Sequence, residues 1–258
     1  MSKLSIGIDS GSTMCKIILY DGKNILDRYI SKTSWDAEQS ARDGYETILV
    51  RNGLKQADVV VAATGYGREI ISFAEYNYTE IKCHAIGGIF LIPRIQGIID
   101  IGGQDSKVIR IENGRITNFM MNDKCAAGTG RFLNMACDTL GVPLDDVDQF
   151  TSIDEAIPIN SMCAVFAESE IISLLSAKRD RSKILAGVLE SIAKKVYQIT
   201  GKMKDISSSD PFLLTGGLAR FNMLAAVIEK TIGERVITHA ESPFAGALGA
   251  CICACKEQ

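Results

Sequence analysis

The stretch Asp100-Ile-Gly-Gly-Gln-Asp-Ser-Lys107, followed downstream by Asn122-Asp-Lys-Cys-Ala-Ala-Gly-Thr-Gly-Arg131, decides how the 258-residue chain is read. An apolar run over residues 95–101 delivers an acid and then two glycines. That is the pattern of a buried strand ending in a tight turn whose backbone N–H groups can approach a phosphate. Beyond it, Cys125 stands just ahead of a second glycine turn, which opens an apolar-periodic helix over 131–140. A phosphate-type loop and a thiol at a helix start therefore lie close together in the chain.

Working outward, the composition is that of an ordinary globular protein. It is 47% hydrophobic and 23% charged, long enough for two domains of roughly 100 to 150 residues. The net charge of -3 and the lack of a Lys/Arg block make nucleic acid and anionic membrane poor partners. A strand pattern begins by Leu4 without a leader, and no apolar run reaches the ~18 residues of a membrane span. A cytoplasmic protein is expected. Its eight cysteines then stay reduced, as core residues, reactive thiols or metal ligands.

The first half begins Leu4-Ser-Ile-Gly-Ile-Asp9, turns through Ser10-Gly-Ser-Thr13, resumes as a strand over 15–20 and makes a hairpin at Asp21-Gly22. On its own the Ser10–Thr13 turn is either a plain hairpin or a phosphate cradle with Asp9 near Mg²⁺. A helix over 35–52 stopping at Gly53, a buried strand over 59–64 and the turn Gly65-Tyr-Gly-Arg68 follow. The turn lacks a dinucleotide fingerprint, although Arg68 can reach a phosphate. A short strand over 81–83 and an apolar helix over 85–93 lead to the Asp100 strand, where the outline repeats: acid, glycine turn, strand, hairpin at Asn113-Gly114, strand. Helices from Gly128, Ala164 and Arg181, a strand over 212–215 ending at Gly216-Gly217, a further helix, a strand over 236–238 and a helix over 243–255 complete the expectation.

Two acid-ended strands and a third ending Thr215-Gly-Gly217 resemble the two phosphate motifs and the adenosine motif of the actin, Hsp70 and sugar-kinase superfamily. That resemblance implies an α/β fold of two ribonuclease-H-like domains closing on ATP. The domains are expected at 1–94 with 244–258, and at 95–243. Within the superfamily, several runs are similar to the ATP-dependent activators of 2-hydroxyacyl-CoA dehydratases, of the BadF/BadG/BcrA/BcrD type. They are Gly7-Ile-Asp-Ser-Gly-Ser-Thr13, Ala63-Thr-Gly-Tyr-Gly-Arg68, the two stretches quoted first, Cys163-Ala-Val-Phe-Ala-Glu-Ser-Glu170 and Phe244-Ala-Gly-Ala-Leu-Gly-Ala250.

The resemblance implies a homodimer with one 4Fe-4S cluster held by Cys125 and Cys163 of each subunit. Both cysteines precede a helix start, where the dipole favours thiolate. It further implies ATP/ADP with Mg²⁺ on Asp9, with Asp100 close to the metal, and with phosphates cradled by Ser10, Gly11, Ser12, Thr13, Lys16, Gly102 and Gly103. Gly216 and Gly217 would lie against the adenosine, and Gln104 would orient the attacking water. The implied purpose is transfer of one low-potential electron, from ferredoxin or flavodoxin, to an iron–sulfur dehydratase acting on an (R)-2-hydroxyacyl-CoA, in an oxygen-sensitive, anaerobic setting. ATPase subunits of benzoyl-CoA reductases and reductases of double-cubane proteins carry the same motifs. A small-molecule kinase with Asp105 or Asp123 as base, or an ATP-switched scaffold, shares the fold. Cys15, Cys83, Cys137, Cys251, Cys253 and Cys255 read as core, and His84 and His239 as lacking a second ligand at metal spacing, with lining of the domain cleft the alternative for His84 beside Cys83.

Overall fold

The computed structural model describes residues 4–122, 126–151, 155–160, 163–203 and 209–257. The chain begins as three antiparallel strands, β1 (Leu4–Ser10), β2 (Met14–Tyr20) and β3 (Ile25–Lys32). Helix α1 (Ala37–Asn52) crosses over to β4 (Val59–Thr64), which lies parallel to β1. The short β5 (Tyr76–Asn77) adds to β4, and α2 (Glu80–Leu91) leads away from this sheet. The second half repeats the plan with β6 (Gly97–Ile101), β7 (Ser106–Glu112) and β8 (Arg115–Asn122), then helices α3 (Gly130–Leu140), α4 (Val147–Phe150), α5 (Ala164–Ser176) and α6 (Arg181–Thr200). Strand β9 (Phe212–Gly216), α7 (Asn222–Ile232), β10 (Val236–Ile237) and α8 (Ala245–Cys255) end it.

The sheets run β3-β2-β1-β4-β5 and β8-β7-β6-β9-β10, so β6 to β10 reproduce β1 to β5 strand for strand. The duplication of topology expected from the sequence is real. In both halves the central strands are buried on both faces, which is why their apolar runs are continuous rather than alternating. The edge strand β3 alternates half-buried with exposed residues.

One face of the first sheet packs on α1, through Ile6, Ile8, Ile17 and Val61 against Ala41, Tyr45 and Ile48. Its other face takes α8: Ile18 and Tyr20 meet Ala247, Leu248 and Cys251, while Val60 and Ala62 meet Ala250 and Ala254. The larger core unites β6, β7 and β9 with α3, α5, α6 and α7.

Helix α2 lies between the two sheets. Towards α8 it approaches backbone to backbone, since a Cβ on Gly87 would collide with the Ala245 carbonyl and one on Gly249 with that of Cys83. Towards the second sheet, Ala85 packs with Ile98 and Leu213. The expected strand over 81–83 is therefore the first turn of α2, with the Cys83 N–H bonded to the Thr79 carbonyl, and the strand forms earlier at Tyr76–Asn77. Three residues, Ile81, Lys82 and Cys83, are too few to separate the two periods, and packing against both sheets settles the helix. The helix expected from residue 35 starts at Ala37, because the Asp36 carboxylate accepts the Gln39 N–H at 2.9 Å and caps it. Gly53, at φ 62°, ends it as read.

Candidate functional site

Asp9 and Asp100 close β1 and β6 and are buried, at 4% and 1% exposure. Each faces a lysine directly across the neighbouring antiparallel strand, Asp9 opposite Lys16 and Asp100 opposite Lys107. The Nζ–Oδ2 distances are 3.8 Å and 3.5 Å. Lys16 was an expected site residue; Lys107 was not, although each lysine stands seven positions after its aspartate and that repeat is visible in the chain.

Glycine backbone builds the first turn. The Gly67 N–H donates to the Ser10 carbonyl at 2.8 Å, and Gly65, at φ +87°, stands where a Cβ would come within 2.6 Å of Asp9 Oδ1. Thr33 secures the other side, its Oγ1 donating to the Gly11 carbonyl at 2.8 Å and its N–H to the Thr13 carbonyl at 2.9 Å. The buried Ser10 Oγ has no protein partner and so offers a hydroxyl to a ligand. Arg68 pairs with Glu69 at 3.0 Å and the Gly65 carbonyl at 3.2 Å, so its guanidinium is engaged locally.

The second turn joins the first on one side and a helix on the other. A Cβ on Gly103 would strike the Thr13 side chain, so the two glycine turns touch across the cleft. The first N–H groups of α3 donate back to the same turn, Gly130 to the Gly102 carbonyl at 2.8 Å and Arg131 to the Gly103 carbonyl at 3.0 Å. Gln104 is exposed at the lip. Gly216, at φ +83°, presses on Asp100 Oδ1, while Gly217 has open space over it, as a flat ring system requires.

Around Asp100 the charges are dense. Thr215 Oγ1 donates to Oδ1 at 2.9 Å, and His84 Nδ1 lies 3.3 Å from the same oxygen. The Lys107 ammonium, 1% exposed, also meets Asp105 at 2.8 Å and Glu80 at 3.0 Å. Burial by itself would raise the Asp100 carboxyl, but His84 and Lys107 outweigh it and hold the pKa at about 2. Burial works against the Lys107 ammonium too, yet Asp100, Glu80 and Asp105 push its pKa up. Glu80, His84 and Asp100 bring ligand atoms within 4.8 Å of one another, a grouping invisible in sequence. Lys107 already supplies the cation there, which speaks against a metal ion at that spot.

Cys163 is exposed and occupies the N-cap position of α5, where its carbonyl accepts the Ala167 N–H at 2.9 Å. The preceding segment is fixed by the Asn160 N–H, 3.1 Å from the Glu170 carboxylate. Cys125 lies outside the described residues, as does Asp123. The helix expected from Gly128 begins at Gly130. Cys15, Cys83, Cys137, Cys251 and Cys253 are buried, and burial pushes Cys15 up to about 12 and Cys137 up to about 11.

A duplicated two-sheet fold with acid-ended central strands and glycine turns meeting at their tips defines a nucleotide-handling protein of the actin, Hsp70 and sugar-kinase type. Residues 6–254 match the BadF/BadG/BcrA/BcrD ATPase family, and the chain belongs to that family. It is 39% identical to the (R)-2-hydroxyglutaryl-CoA dehydratase activating ATPase of Acidaminococcus fermentans, over all of this chain and 99% of that one. The crystal structure of the (R)-2-hydroxyglutaryl-CoA dehydratase component A from A. fermentans superposes with a TM-score of 0.92 at 38% identity, covering 99% of both chains. The activator of 2-hydroxyisocaproyl-CoA dehydratase from Clostridium difficile, with bound ADPNP, superposes at 0.91 with 35% identity, over 98% of this chain and 95% of that one. Among the described residues no helix is long and apolar enough to cross a membrane.

Proposed function

We propose that this ATPase acts as a one-electron activator of an iron–sulfur 2-hydroxyacyl-CoA dehydratase. ATP would bind between the sheets, with a 4Fe-4S cluster shared by two copies through Cys125 and Cys163. The observation that carries the reading is a continuous chain of contacts from the phosphate turn to a thiol. Gly102 and Gly103 accept the first N–H groups of α3, Phe132, Leu133 and Ala136 of α3 share a core with Ala167 and Ile171 of α5, and Cys163 caps α5.

The donor sets fit the implied groups. The buried Asp9 carboxylate, with the unpartnered Ser10 hydroxyl, suits a hard cation such as Mg²⁺, while Asp100 stands nearby, paired with Lys107. That ion supplies charge neutralisation on the phosphates. Lys16, with the backbone of the Ser10–Thr13 and Gly102–Gly103 turns, holds and orients the phosphates, and Gly216–Gly217 leaves room for the adenosine. Gln104, exposed at the lip, would hold the attacking water without adding charge.

An exposed thiol at a helix N-terminus is a suitable soft ligand for iron. Two thiols per chain supply half of the usual four ligands, so a two-fold dimer completes the set. Beside Cys163, Val165 and Phe166 expose 68% and 69% of their surface, an apolar patch suited to that seam. The cluster supplies low-potential electron storage. Switching a two-state linkage from 1:99 to 99:1 needs about 5.5 kcal/mol of differential nucleotide binding, within the reach of ATP against ADP.

We place the protein in the cytoplasm of an anaerobe, with ferredoxin or flavodoxin as donor. Service to a benzoyl-CoA reductase or a double-cubane protein would use the same parts. The kinase reading loses ground because Asp105, its candidate base, is tied to Lys107. The test is anaerobic purification with iron and sulfide counting. About four irons per dimer in the native chain, and none in Cys125→Ser or Cys163→Ser, is expected; iron-free native dimer with intact ATP hydrolysis would overturn the cluster.

A further inference from the structure

Helix α2 presents two polar residues one turn apart, Glu80 and His84, to the second sheet, His84 reaching Asp100 on β6 and Glu80 reaching Lys107 on the neighbouring β7. His84 is 2% exposed, too deep to serve as a solubilising residue. Its Nδ1 lies 3.3 Å from Asp100 Oδ1 and 3.1 Å from Thr215 Oγ1. The Thr215 hydroxyl is donated to the same Asp100 oxygen at 2.9 Å, so it cannot also be donated to the imidazole, and Nδ1 must carry a hydrogen of its own. The other nitrogen faces the opposite sheet. At Gly246, the second residue of α8, a Cβ would sit 2.9 Å from His84 Nε2 and 2.9 Å from Asp9 Oδ2. One imidazole therefore stands between the acids that end the two central strands, and glycine at 246 keeps the gap between them open.

We propose that His84 is a positioning residue for ATP hydrolysis: by donating from Nδ1 to Asp100, with Nε2 turned to the gap at Gly246 that Asp9 also lines, it fixes the relative placement of the two acids across the cleft. No proton leaves the ring and no bond to substrate forms. The imidazole sets the distance and rotation at which the two carboxylates meet the phosphate end of the nucleotide. A displacement of about 1 Å at such a site costs up to roughly 100-fold in rate.

The test compares His84→Ala, His84→Asn and His84→Gln with the native chain, reading kcat and KM for ATP hydrolysis and ADP affinity by calorimetry. An asparagine amide sits where Nδ1 sits and keeps the donor to Asp100, whereas the glutamine amide lies near Nε2. We expect kcat to fall at least about tenfold in the alanine and glutamine variants, with KM and ADP affinity within about threefold, and the asparagine variant to recover most of the rate. Equal kcat in all three variants, or equal loss in all three with matching loss of ADP affinity, would overturn the proposal.

A second arm needs no turnover, so its failure is distinct from failure of the activator reading. The cost in thermal stability of His84→Asn relative to His84→Ala is measured in the native and Asp100→Asn backgrounds. The advantage of asparagine should shrink by about half once Asp100 is neutral, because a charge-assisted hydrogen bond becomes an ordinary one, and persistence of that advantage unchanged would contradict the contact on which the proposal stands.

Discussion

Lys107 stands directly opposite Asp100 across β6 and β7 and reaches it at 3.5 Å, in the place that Lys16 holds towards Asp9 across β1 and β2. The two halves thus share an arrangement of charge as well as a fold. They differ in burial of the cation's surroundings, because Lys107 is ringed by Glu80 and Asp105 as well.

Removing that cation leaves three carboxylates facing one another. Lys107→Met is expected to destabilise the fold by about 3–5 kcal/mol, the usual cost of stripping one partner from a buried ion pair. Adding Glu80→Gln should return part of the loss. Urea unfolding of the single and double variants checks both statements.

The depressed pKa of Asp100 fixes a direction for acid sensitivity. Its folded value of about 2 lies below the ordinary 3.8, so the stability it contributes is complete above about pH 4 and disappears as the pH falls through about 2. The native chain should lose about 2 kcal/mol through this group over that interval. Asp100→Asn should show a shallower decline in urea midpoint between those pH values.

Contact between the glycine turns can be probed by adding a methyl group. Gly103→Ala would drive a Cβ into Thr13, whose own Cβ stands 2.9 Å away. ADP affinity is expected to fall roughly tenfold, about 1.4 kcal/mol. The Gly103→Ala/Thr13→Gly pair, which removes the opposing Cβ as well, should recover part of the loss, as coupled neighbours do. Titration calorimetry reads both.

Thiol reactivity should follow exposure. In metal-free protein under native conditions, iodoacetamide should label Cys163 and spare Cys15 and Cys137, whose pKa values burial pushes up to about 12 and about 11. Peptide mass mapping across a pH series from 7 to 9 checks the order.

Much of this was legible in the chain. Asp9 and Asp100 announce themselves as acids at the ends of apolar runs, and glycines at 65, 103 and 216 mark backbone held close to another group. The two sheets follow from hairpin turns repeated in register. Lys107 is equally legible in the repeated seven-residue spacing, although a lone lysine inside a strand carries no sign by itself of being buried. For His84 a place beside the cleft was legible, but its contacts were not. Its partner Thr215 is 131 positions away, and only the folding of α2 between the sheets brings them together. The same helix defeated the local reading at 81–83, where Ile81-Lys-Cys83 suits a strand as well as a helix turn.

The central claim, that the nucleotide turn moves the thiol-bearing helices, is tested most directly by hydrogen exchange in the native protein with ADP and with a non-hydrolysable ATP analogue. The account predicts that protection differs between the two states at the Gly130 and Arg131 amides, which bond to Gly102 and Gly103, and onward through α3 to the first turn of α5 after Cys163. Differences that stop at the two glycine turns, with α3 and α5 exchanging identically in both states, would contradict it.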